Sequence, residues 1–97
     1  MKTLKSFGSE IQNVIAGLIN DGAETNFEIL KKITAIKKYK SVQLEMVDSK
    51  LNKMAVIGIV EINNTVISNH PTKEGMSANQ IKVSLTDKAF DENVQKQ

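Results

Sequence analysis

Apolar residues recur at three- and four-residue spacing from the start of the chain. Leu4, Phe7, Ile11, Val14, Ile15, Leu18 and Ile19 form one stripe, with Lys5, Ser9, Gln12, Asn13 and Asn20 opposite. That period predicts an amphipathic helix, beginning near Thr3 or at Ser9, where Gln12 would close a capping box. Asn20-Asp21-Gly22 ends it, because glycine accepts the left-handed backbone that terminates helices. Thr25-Asn26-Phe27-Glu28 then reads as a second capping box, and Ile29, Leu30, Ile33 and Ile36 supply an apolar face. Glu24 and Glu28 near its start and Lys37, Lys38 and Lys40 near its end suit the helix dipole. The short connection between the two predicts an antiparallel helical hairpin over residues 1–40.

At Ser41 the period shortens to two. Val42, Leu44 and Met46 alternate with Gln43 and Glu45, as in a half-buried strand. Residues 48–53 read as a polar loop. The segment Met54-Ala55-Val56-Ile57-Gly58-Ile59-Val60-Glu61-Ile62 carries no charge before Glu61 and is rich in β-branched residues. Such a run suits a strand covered on both faces. Asn63-Asn64 predicts a tight turn, because asparagine tolerates positive φ. Residues 65–68 would return as a short strand, and 69–79, with His70, Pro71 and Gly75, would form a loop. Ile81, Val83 and Leu85 alternate with Lys82 and Ser84 in a last one-faced strand.

The expected fold is therefore one α+β domain spanning residues 1–97. Two N-terminal helices would pack on a three- to four-stranded antiparallel sheet over 41–86. Residues 87–97 would form a short helix or a frayed tail carrying Phe90 and Val94. Two strand registers are open. The one with the more continuous apolar set places Met54, Val56, Gly58, Val60 and Ile62 under the helices and leaves Ala55, Ile57 and Ile59 on the far face.

Composition narrows the functional classes. With 97 residues, 40% apolar and 25% charged, the chain has room for one modest core. It has no cysteine, which excludes disulfides and thiolate metal sites. No apolar run approaches the roughly 20 residues that span a bilayer, and polar residues interrupt any signal-like segment after Met1. A cytoplasmic location is the expectation. All thirteen basic residues are lysine and the net charge is +2. Without arginine there is no bidentate fork for guanine or phosphate, which weakens the case for sequence-specific DNA readout.

Chemistry-bearing clusters are scarce. His70 is the single histidine, with no set of metal ligands around it. The five glycines are scattered and form no phosphate loop, and Ser77 lacks the setting of a nucleophile elbow. Glu45 and Glu61 read as solvated strand residues. No catalytic residue, metal or cofactor is expected, and the chain reads as a non-enzyme. The basic cluster Lys31, Lys32, Lys37, Lys38 and Lys40 could meet phosphates or an acidic surface. Its plainer reading is a solvated helix face. The sequence thus predicts a protein–protein interaction or assembly module, self-associating through Ala55, Ile57 and Ile59. The alternative is a lysine-rich, nucleic-acid-associated or inhibitory regulator acting through the end of the second helix.

Overall fold

The computed structural model describes residues 3–6 and 8–91. Its elements in chain order are β1 (Thr3–Leu4), α1 (Glu10–Asn20), α2 (Asn26–Thr34), a 3-10 turn (Lys37–Tyr39), α3 (Leu44–Val56), β2 (Val60–Asn69), β3 (Ser77–Leu85), a second 3-10 turn (Asp87–Ala89) and β4 (Phe90–Asp91). The chain is α+β with antiparallel pairing. The two-helix hairpin on one sheet is not what forms. Three helices pack together, and the strands make two separate pairs, β1 with β4 and β2 with β3.

Local chemistry sets the helix limits. Ser9 Oγ accepts from the Gln12 N–H at 3.4 Å while Gln12 Oε1 accepts from the Ser9 N–H at 2.9 Å. The capping box therefore starts α1 at Ser9, and Thr3–Leu4 is left to pair with Phe90–Asp91. Gly22, at φ +119°, closes α1. Its N–H reaches the Ile19 carbonyl, and the Ala23 N–H reaches that of Leu18, both at 3.0 Å. Thr25 caps α2 through a 3.1 Å bond from the Glu28 N–H, and the Glu28 carboxylate accepts from the Glu24 N–H at 2.6 Å.

The largest departure from expectation lies between residues 42 and 62. The segment expected as a strand at 42–46 and the polar loop at 48–53 both belong to α3. Its buried positions are Leu44, Val47, Leu51 and Met54, a helical spacing that outweighs the short alternation Val42-Leu44-Met46. The apolar run 54–62 is not one strand. It contains the last turn of α3, a reversal at Gly58, and the first residues of β2. Gly58 has φ +84°. Its N–H bonds the Ala55 carbonyl at 3.0 Å and the Ile59 N–H bonds that of Met54 at 2.9 Å, the paired bonds of a Schellman ending. Ile59 and Met54 are both buried in the core.

The core joins all three helices to the base of the hairpin. Ile15, Ile29, Leu30, Ile33, Val47, Leu51 and Met54 are almost wholly buried, and Ile59, Val60 and Val83 meet them from the sheet. Each such side chain contributes about 1.5–3 kcal/mol by leaving water. β2 and β3 run antiparallel from Val60↔Leu85 to Asn69↔Ser77, with a register shift between Ile62 and Asn64. Asn63-Asn64 is thus a bulge inside a continuous strand rather than a turn. The inner side of β3 is fastened to the helices: Thr25 bridges Lys82, and the Val83 N–H bonds the Glu24 carbonyl at 2.9 Å. Thr86 caps the turn after β3, and Val94 and the rest of the tail lie outside the described residues.

Candidate nucleic-acid interface

The site is built where α2, the turn 35–43 and α3 meet. Its foundation is Asn26, which is fully buried. Asn26 Nδ2 donates to Asp48 Oδ1 at 2.7 Å and to the Asn79 carbonyl at 2.9 Å, and Oδ1 accepts from the Ile81 N–H at 2.7 Å. One side chain therefore ties the start of α2 to the first half of α3 and to β3. Burial raises the Asp48 carboxyl above its ordinary 3.8; the Asn26 hydrogen bond opposes this, and the charge of Glu45 adds to it.

With Leu44, Val47, Leu51 and Met54 turned inward, α3 presents Glu45, Met46, Ser49, Asn52, Lys53 and Val56 to solvent. This outward face carries hydrogen-bonding groups along successive turns of the helix. Before it lies an open groove of about 620 Å³, lined by Lys38, Tyr39, Ser41, Val42, Gln43, Glu45, Met46 and Ser49. The groove crosses the turn and the beginning of α3.

The lysines foreseen as anion contacts do not form one patch on a helix end. Lys31 and Lys32 sit exposed in the last turn of α2, while Lys37 and Lys38 belong to the 3-10 turn, with Lys40 just after it. Lys38 is engaged: its ammonium bonds the Glu10 carboxylate at 2.8 Å and stands 5.8 Å from the Tyr39 ring centre. That pairing raises the Lys38 pKa and lowers that of Glu10, chiefly through the hydrogen bond itself. Both groups are largely exposed, so the bridge contributes little to stability. The Tyr39 hydroxyl is buried, and burial together with the nearby Glu10 carboxylate raises its pKa.

Ala55, Ile57 and Ile59 do not share a face. Ala55 is half-buried in the last turn of α3 and Ile59 is in the core, leaving only Ile57 substantially exposed. The reason is the Gly58 reversal, which breaks the period-two register that would have aligned them.

His70 has a local structural part. Its Nδ1 accepts from the backbone N–H groups of Thr72 and Lys73, each at 3.1 Å, and so shapes the reversal between β2 and β3. A smaller cavity of about 190 Å³ lies between this reversal and the start of α3, with Glu45, Asp48, His70 and Lys73 among its lining residues. Among the described residues no cluster of three or more His, Cys, Asp or Glu could hold a metal. No helix among them is long and apolar enough to cross a membrane.

Sequence reasoning missed the outward face of α3 altogether. The signal was present as Leu44-Val47-Leu51-Met54 followed by Gly58, a helix stripe with its stop. Compared with protein-family models, curated proteins and solved structures, the chain gives no match.

Proposed function

We propose that the chain is a nucleic-acid-binding module that lays the outward face of α3 into the major groove of duplex DNA. The observation that carries this reading is the juxtaposition of a polar helix face, a lysine-bearing turn before it and a projecting hairpin after it. By arrangement, α2, the turn and α3 form a helix-turn-helix with a β-hairpin wing. This is an analogy of topology, and the function rests on the side chains. Ser49, Asn52 and Lys53 have no side-chain hydrogen bond or ion pair to other described residues, so they are available to base edges. Asn pairs with adenine, Lys with guanine, and Glu45 can accept from cytosine. Lys37 and Lys40 are exposed in and just after the turn that precedes α3 and suit phosphates, which position a protein without reading sequence.

This reading keeps the lysines of the turn and moves the reading surface from the end of α2 to α3. It requires no cofactor and no catalysis. Its test is duplex binding by fluorescence anisotropy across a salt series. Phosphate contacts by Lys37, Lys40 and Lys73 would give a log–log salt slope of about −3. Lys37→Glu with Lys40→Glu should weaken binding to every duplex and flatten that slope, whereas Asn52→Ala should alter the preference among sequences. Absence of binding at low salt, or binding indifferent to salt, overturns the proposal.

A further inference from the structure

We propose that two copies of this chain pair through the outer edges of their β2 strands, antiparallel about Val66, to form a four-stranded sheet. The pairing does not depend on nucleic-acid binding.

β2 is ten residues long and exposed along nearly all of its length. Among the described residues no strand lies on its outer side. An antiparallel strand with one neighbour points half of its main-chain groups away from that neighbour, and those groups offer a template for another strand. The ladder fixes which residues they belong to. The His70 N–H bonds the Met76 carbonyl at 2.7 Å, directly beyond the pair Asn69↔Ser77. Hydrogen-bonded pairs alternate, so Ser68/Ala78 and Val66/Gln80 exchange bonds. The N–H and C=O groups of Thr65, Ile67 and Asn69 therefore face outward.

Those groups match a second copy of the same strand. Thr65 of one copy exchanges both bonds with Ile67 of the other, and the reverse pair repeats the exchange. Val66 then stands opposite Val66 at the two-fold axis, with Asn64 opposite Ser68. Val66 is 47% exposed and Ile67 78% exposed in the single chain. In such a non-bonded central pair the backbones approach to about 4.5 Å, which brings the two valines into contact.

Charge identifies the occupant as the chain itself. A two-fold contact sets each residue near its own copy, so any charge close to the axis repels itself. A quarter of the chain is charged, yet residues 62–69 carry no charge, and they contain neither the lysine nor the proline that protects exposed edges. Glu61, the one charge of β2, falls outside the paired register. A foreign strand would place no such demand on this segment.

The test is the solution mass of the full chain at high micromolar concentration, by light scattering, with circular dichroism as the check on folding. The wild type is expected at twice the chain mass and Val66→Lys at the monomer mass with an unchanged spectrum. An equimolar mixture of Val66→Lys and Val66→Glu should recover the dimer, because residue 66 faces residue 66 only in this register. A monomeric wild type, a dimer indifferent to Val66→Lys, or failure of the mixture to pair would each overturn the proposal.

Discussion

β2 and β3 are neighbours of almost equal length, and they occupy opposite environments. β3 receives Glu24, Thr25 and Asn26 from the helices along its inner side, and its Val83 is buried. β2 has β3 on one side and no described strand on the other; beyond Val60 its side chains are almost all exposed. Composition alone does not separate them, since both mix β-branched residues with Asn, Ser and single charges. What separates them is tertiary partnership: the same kind of strand becomes part of a core when a helix start is placed beside it. The inner side is thus where stability resides, and on the outer side no described strand covers β2.

Truncations should break this symmetry most visibly. Leu51→Ala, at a fully buried site of α3, should cost about 2–5 kcal/mol in chemical denaturation. Ile67→Ala, on the exposed strand, should cost under about 0.5 kcal/mol in the monomer. A similar loss at both sites would show that the hairpin packs against more of the chain than the helices provide. Next in size is the polar counterpart. Asn26→Ala strands the Ile81 N–H, the Asn79 carbonyl and the Asp48 carboxylate, at a cost of about 1–3 kcal/mol. Asn64→Ala, on exposed β2, should be close to neutral, and equal losses would remove Asn26 from its place as the joint between layers.

A smaller effect concerns pH. Folding raises the Asp48 pKa, so the native chain holds that proton to higher pH than the unfolded one. Within that window, above the ordinary 3.8, the Asp48 contribution is greatest at low pH and declines as pH rises through the folded pKa. Asp48→Asn keeps an acceptor for Asn26 and removes the titration. The variant should therefore gain stability relative to wild type as pH rises above the ordinary 3.8, read from urea midpoints. A gain that shrinks with rising pH would reverse the assigned cause. Glu10 acts with the opposite sign, since Lys38 lowers its pKa and its contribution fades as pH falls.

The limits of the sequence follow from the same partnership. Features set within a few residues were legible: the Ser9–Gln12 box, the Thr25 cap, the Gly22 stop and the last strand through Ile81, Val83 and Leu85. The stretch 42–62 was not, because its apolar run satisfies two templates at once. Met54-Ala55-Val56-Ile57 is β-branched enough for a strand, yet Met54 completes the buried stripe of a helix. Only recognising Gly58 as a helix stop divides the run. The surface proposed for nucleic acid was hidden by that same choice, since residues 48–53 expected as a loop supply Ser49, Asn52 and Lys53. Likewise, Asn26 gave no signal beyond its place in a cap, because its partners are Asp48, Asn79 and Ile81.

The most direct test of the central claim is a titration of the isotopically labelled chain with duplex DNA, followed by amide chemical-shift mapping. Binding through α3 predicts shifts concentrated at Ser49, Asn52 and Lys53, extending to Lys37 and Lys40, with little change in α1. Shifts confined to α1, or no shifts at low salt, would contradict it.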